Sequence, residues 1–176
     1  MNHRVKRAGW LLLAAAIATL DLWSKALWTY PADVPHGRAV FEQQVFEGWL
    51  NVQTIWNPGG VWSAKIPGGI LLWGTALAIP AILIWLLAPA RVRRWETAAK
   101  ALILGGAIGN FYDRWHWNAV RDWIDVYFGD PQGWHWPTFN VADMALVGGI
   151  GVLFVLSFLP ELGATPKSDA TGKAVA

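Results

Sequence analysis

Residues 66–90 contain no charged side chain for 25 positions. A helix rising ~1.5 Å per residue crosses a hydrocarbon core of ~30 Å within that length. Pro80 lies inside the run, and a membrane helix tolerates proline better than a soluble one. The 176 residues leave room for one compact unit around such a segment. Hydrophobic residues make up 55% and charged residues 15%, well under the ~25% usual in soluble domains. The absence of cysteine excludes a thiol nucleophile, a thiolate metal site and a disulfide framework. Low charge, with a net +2, argues against a nucleic-acid surface. These features point to a small membrane protein.

Three further spans are predicted. Residues 139–160 carry one charge, Asp143. Residues 8–30 are interrupted by Asp21 and Lys25, and residues 97–114 are short and contain Lys100. The basic N-terminus before an apolar run also fits a signal peptide. Asp21 and Lys25 stand where a small-residue cleavage site would be, however, and apolar character resumes at Ala26-Leu27-Trp28, so a retained first helix is preferred. With four spans and both ends inside, nine of the 14 basic residues fall on one side: Arg4, Lys6, Arg7, Arg91, Arg93, Arg94, Lys100, Lys167 and Lys173. That side is expected to be cytoplasmic. Nine of the 12 acids fall on the other side. This asymmetry argues for the weak third span, because without it the two basic clusters would face opposite compartments. The expected organisation is a single membrane domain over 1–160 and a polar cytoplasmic tail over 161–176.

Two segments, 31–65 and 115–138, are left outside. Leu50, Val52, Thr54 and Trp56 alternate with Asn51 and Gln53, which predicts a strand. It should end at Asn57-Pro58-Gly59-Gly60, where proline removes a ladder donor. Residues 120–128 fit one helical face or a strand equally well.

Ionisable groups inside spans are costly and usually functional. Asp21 and Lys25 lie in the outward half of the first helix. Asn110, Asp113 and Arg114 come at the outer end of the third, and Asn140 and Asp143 at the outer start of the fourth. Three helices thus bring polar groups to one depth. Each set is spaced by three or four residues, which places its members on one helical face. Helix caps and interfacial ion pairs would explain any one set. They explain all of them at one level less well. Gly105 with Gly109, and Ala145 with Gly149, read as small-residue packing faces. Eleven of the 14 tryptophans lie towards the outside, mostly as an aromatic belt. Trp62 and Trp123 are candidates for the mouth of a lipid-accepting pocket.

The chemical inventory narrows the choices. The four histidines lack His-Glu-x-x-His spacing, so a zinc protease has little support. Ser24 and Lys25 are adjacent on a helix and do not face each other. The carboxylates Asp21, Asp113, Asp122, Asp125 and Asp143 remain. Two carboxylates sharing a site cannot both ionise easily, so one keeps a proton while the other serves as a base.

Four blocks resemble the bacterial lipoprotein signal peptidases (type II signal peptidases). They are Asp21-Leu22-Trp23-Ser24-Lys25, then Asn57-Pro58-Gly59-Gly60-Val61-Trp62-Ser63, then 105–114 continuing to 120–125, and Phe139-Asn140-Val141-Ala142-Asp143. The resemblance implies an α-helical integral membrane protein with four transmembrane helices and a small outer-face β-cradle, and it favours extended structure for 120–128. It implies an aspartic endopeptidase of the bacterial inner membrane, working without a cofactor or metal near the periplasmic face. Its partners would be membrane lipids and diacylglyceryl-modified prolipoproteins, cut just before the lipidated cysteine. Carried over by residue, Asp122 and Asp143 are the catalytic pair holding a water. Asn57, Asn110, Asp113, Arg114 and Asn140 support the site or bind substrate, and Asp21 and Lys25 orient it. The chain departs from the family pattern at Asn118, where glycine is usual, at Val61-Trp62 for Ala-Phe, and at Trp123 for Phe. Asn118 could preserve a turn, since asparagine tolerates positive φ. The aromatic changes bear on pocket width. The rival readings are a small proton-coupled transporter, which would need polar groups through the full depth, and a structural scaffold, which leaves the outward acids unexplained.

Overall fold

The computed structural model describes residues 3–59, 66–88 and 94–159, with side chains from residue 8 onward. Val61, Trp62 and Ser63, Arg91 and Arg93, the side chains of Arg4, Lys6 and Arg7, and the 161–176 tail with Lys167 and Lys173 lie outside the described residues. Among the described residues, four helices and three strands follow in the order α1 (His3–Ala26), β1 (Val40–Phe46), β2 (Leu50–Asn57), α2 (Gly68–Leu87), α3 (Arg94–Trp117), β3 (Val120–Val126) and α4 (Val141–Phe158).

Helix α3 is the centre, packed against α1, α2 and α4. Its position explains its weak hydropathy. Among the described residues, only α2 and α4 are both long and apolar enough to count as candidate spans by length and composition. They leave Ile70, Leu77, Ile84, Val147 and Phe154 exposed, which suits lipid and not water. Helix α3 instead buries small residues: Ala99, Ala101, Gly105, Gly106, Ala107 and Gly109. A methyl group on Gly105 would lie 2.6 Å from the Ala14 carbonyl of α1, and one on Gly106 would lie 2.5 Å from the Ala142 carbonyl of α4. On α4, Gly149 meets the backbone of Ala99 at 2.7 Å in the same sense. The small-residue faces therefore allow backbone contact between helices. Lys100 forms an ion pair with Glu96 at 2.7 Å and lies 4.3 Å from the centre of the Trp85 ring.

Helix α1 stops at Ala26, short of the end expected near residue 30. Its last turn tightens through bonds from the Leu27 and Trp28 amides to the Ser24 and Lys25 carbonyls. Helix α3 runs past 114 to Trp117, where Asn118 adopts φ 52°. Its amide returns to the Arg114 carbonyl at 3.0 Å, the left-handed helix termination that asparagine accepts.

The sheet is antiparallel in the order β1-β2-β3. Strand β2 ends at Asn57 because Pro58 follows. Residues 120–126 are extended, which removes the helical alternative, and they pair Asn51 with Asp125 and Ile55 with Asp122. Strand β1 was not evident from sequence. Thr138 and the Phe139 backbone attach the next segment to the sheet: Gln53 donates to Thr138 at 2.7 Å, and Phe139 exchanges bonds with Ile124.

Overpacking at these glycines costs about 1–3 kcal/mol. Gly105→Ala and Gly106→Ala should lower the melting temperature in detergent. Gly148→Ala, which meets nothing within 4 Å, should leave it unchanged. Equal melting temperatures for all three would contradict the close-packed arrangement.

Candidate active site

Side chains from α1 and α3 converge on one buried ammonium, and β3 and α4 are tied to those side chains in turn. Lys25 Nζ lies 2.7 Å from Asp21 Oδ2 and 3.0 Å from Asp113 Oδ2, and all three side chains are fully buried. It also donates to Asn110 Oδ1 at 3.2 Å. The other Asp21 oxygen accepts the Ala142 amide at 2.9 Å, tying α1 to the first turn of α4. The other Asp113 oxygen takes the Arg121 guanidinium at 2.8 Å, while Asp113 Oδ2 also accepts the Arg121 amide at 3.0 Å. Two cations thus face two carboxylates, which is how buried charge remains tolerable.

An asparagine relay leads outward from this cluster. With its oxygen turned to Lys25, Asn110 donates from Nδ2 to Asp143 Oδ1 at 2.8 Å. Asn140 donates from Nδ2 to Asp122 Oδ1 at 2.6 Å and to Asn110 Oδ1 at 3.2 Å. Asn140 is also the N-cap of α4. Its oxygen accepts the Asp143 amide at 2.9 Å and Asp143 Oδ2 accepts the Asn140 amide at 3.3 Å, a reciprocal capping box. Asp143 is therefore held by the start of its own helix. On the far side Asn57 donates to Asp122 Oδ2 at 2.9 Å, and its own oxygen accepts the Gly59 amide at 3.0 Å.

Asp122 and Asp143 face a common cavity of about 870 Å³. Asn57, Asn110, Arg114 and Thr138 supply its other polar lining, and Ile55, Ile66, Phe139, Met144 and Val147 supply much of the apolar wall. Burial, and next the charge of Asp143, push the Asp122 carboxyl well above the usual carboxylate range. Among the described residues Arg114 is the one cation lining the cavity, and it has no ion pair there. No group of three His, Cys, Asp or Glu side chains among the described residues is placed to hold a metal ion.

Asp122, Asp143, Asn57, Asn110 and Arg114 all line the cavity, while Asn140 stands fully buried behind the two acids. Asp113 does not line the cavity; it holds Lys25 and Arg121 beside it. Trp123 requires a correction. It packs on Trp28 with ring centres 5.7 Å apart, off the cavity wall, because strand alternation turns it away from Asp122. Arg121 escaped the sequence reading, although an arginine beside an acid in so sparsely charged a chain was a signal. Lining by 136–139 was also missed.

The family profile described as Signal peptidase (SPase) II matches residues 13–159. The lipoprotein signal peptidase of Xanthomonas oryzae pv. oryzae (strain PXO99A) is 38% identical over 159 residues, covering 88% of this chain and 91% of that protein. That of Xanthomonas axonopodis pv. citri (strain 306) is 41% identical over 150 residues, covering 81% and 82%. Among solved structures, a bacterial membrane enzyme determined by the in meso method at 2.3 Å superposes with a TM-score of 0.72 at 22% identity, covering 91% of this chain and 93% of that one. A second, at 1.9 Å, gives 0.67 at 23%. The structural likeness is one of fold.

Removing the ammonium would leave Asp21 and Asp113 short of a partner, at a cost of about 3–5 kcal/mol. Lys25→Ala should therefore lower thermal stability in detergent sharply. Stability equal to the parent protein would remove Lys25 from the centre of the structure.

Proposed function

The chain belongs to the signal peptidase II family, and from that premise we propose that it cleaves signal peptides from diacylglyceryl-modified prolipoproteins, just before the lipidated cysteine, using Asp122 and Asp143. The observation that carries this reading is the meeting of two acids from separate elements, β3 and α4, in one largely apolar cavity.

Two neighbouring carboxyls share one proton near neutrality. The ionised member takes a proton from a water held between them, and the resulting hydroxide attacks the scissile carbonyl carbon. The protonated member gives its proton to the carbonyl oxygen. Collapse of the tetrahedral diol returns that proton to the pair and breaks the C–N bond, and the leaving nitrogen takes up the proton first drawn from water. Asn57, Asn110 and Asn140 hold both carboxyls by donating to their oxygens. Arg114 offers a cation to substrate carbonyl groups, and Asp21 and Lys25 fix the helices that carry the site.

The cavity runs between the start of α2, at Ile66 and Gly68, and Met144 and Val147 of α4. Met144 and Val147 are also exposed to the exterior. Acyl chains could remain in the bilayer beside these residues while the peptide reaches the acids. All four helices then span the bacterial inner membrane, with both ends cytoplasmic and the sheet at the periplasmic face, where water is at hand. A proton-coupled transporter gains no support from the comparisons.

With a lipidated precursor peptide, Asp122→Asn and Asp143→Asn should each abolish cleavage while the protein remains folded. The melting temperature of Asp122→Asn relative to the parent should rise as pH rises, because a buried carboxyl whose pKa is raised costs stability once it must ionise. Activity should fall at low pH, when both acids are protonated, and at high pH, when both are ionised, the upper limb lying above the ordinary carboxylate range. Retained cleavage in either variant would overturn the assignment.

A further inference from the structure

A second acid–base pair, its acid buried and its histidine partly exposed, lies on the other face of β3. Asp125 is fully buried, and His135 Nδ1 reaches both of its oxygens, at 2.8 and 3.0 Å. The opposite ring nitrogen, Nε2, lies 3.0 Å from the Pro131 carbonyl oxygen. An ionised carboxylate and a carbonyl can only accept. A neutral imidazole has one N–H and cannot serve both, whereas an imidazolium can.

The surroundings favour that charge. From β3 the ring meets Asp125 and stacks on Tyr127 with centres 5.4 Å apart. From β2, Asn51 gives Asp125 a neutral donor at 3.3 Å. From β1, Gln44 bonds the Tyr127 hydroxyl at 2.9 Å. Within the histidine's own segment, the Asp130 carboxylate accepts the Gln132 amide. The hydrogen bond to Asp125 is also what raises the His135 pKa above its ordinary value.

The segment that His135 pins is the outer wall of the cavity. Residues 134–139 run beside β3: Trp136 donates to the Val126 carbonyl at 2.8 Å and Phe139 to Ile124 at 3.1 Å. Trp136, Pro137, Thr138 and Phe139 line the cavity, and the chain passes directly into Asn140. We infer that His135 is a positioning residue: bound at both ring nitrogens, it clamps this strap to Asp125 and holds the substrate-facing wall in register with the two catalytic acids. The inference rests on the peptidase reading for its effect on substrate, but the clamp itself does not. The contribution of the clamp is fully present below the ordinary histidine pKa and is lost as pH rises through the raised folded value.

Three measurements on the full chain in detergent test this. In ¹⁵N-histidine NMR, with the His135 signal assigned by its shift in Asp125→Asn, both ring nitrogens should be protonated at neutral pH; a neutral ring there overturns the clamp. Amide exchange across 130–139 should be faster in His135→Gln than in the parent at the same pH. For cleavage of a lipidated peptide, His135→Gln should raise KM roughly tenfold, the order of one lost charge-assisted hydrogen bond. Its kcat should be little changed; the parent should show a rise in KM at alkaline pH, and the variant should not. Unchanged exchange together with a parental KM–pH profile overturns the proposal. Should His135→Gln fail to fold, Asp125→Asn replaces it in the exchange and kinetic measurements. A parent protein that cleaves nothing refutes the peptidase assignment instead, and the NMR and exchange results then decide the clamp on their own.

Discussion

Charge buried away from water must be neutralised on the spot, and Lys25 is where this protein does so. Its ammonium is enclosed by Asp21, Asp113 and the Asn110 oxygen. Moving any contributing element separates opposite charges in a poorly screened setting, at several kcal/mol per ion. Helix α1 supplies both Asp21 and Lys25, α3 supplies Asp113 and Asn110, α4 is tied on through its Ala142 amide, and β3 through Arg121. Sliding of these helices is resisted by ion pairing as well as by the glycine contacts of α3.

From that fixed point the amide relay is oriented without freedom. Since Asn110 must turn its oxygen to the ammonium, its nitrogen can only face Asp143. Asn140 must accept the Asp143 amide, so its own nitrogen is directed at Asp122. The two acids therefore inherit their places from the polar frame around them. Asp143 is set by a helix cap and Asp122 by strand register, where a shift of one residue would turn it to the opposite face. Orientation of this kind, assembled before substrate arrives, is what a hydrolytic site requires.

Local spacing made much of this legible. Asp21 and Lys25, one helical turn apart, do form a pair, and β2 stops at Asn57 because proline follows. Asn118 takes the left-handed turn expected of it. What depends on distant partners was harder to read. Strand β1 carries Val40, Phe41, Val45 and Phe46 without clean alternation, and it is extended because β2 lies beside it. Periodicity left residues 120–128 open between helix and strand, the resemblance favoured extended structure, and pairing with β2 is what holds 120–126 as a strand. Helix α3 looked weak because hydropathy measures a preference for lipid, whereas α3 is surrounded by other helices. Trp123 was misplaced relative to the cavity for a related reason: motif membership brings residues near a site without saying which way they face. His135 was set aside for want of metal-ligand spacing, although its partner is a carboxylate ten residues earlier.

The central claim is that a lipidated peptide lies in the cavity between α2 and α4 with its scissile carbonyl at Asp122 and Asp143. A crystal structure of the parent chain with a non-cleavable lipidated precursor peptide tests this most directly. The account predicts the carbonyl carbon flanked by the two carboxyl groups, within reach of a shared water, with the acyl chains running past Met144 and Val147. A peptide bound elsewhere, or a carbonyl out of reach of either acid, would contradict it.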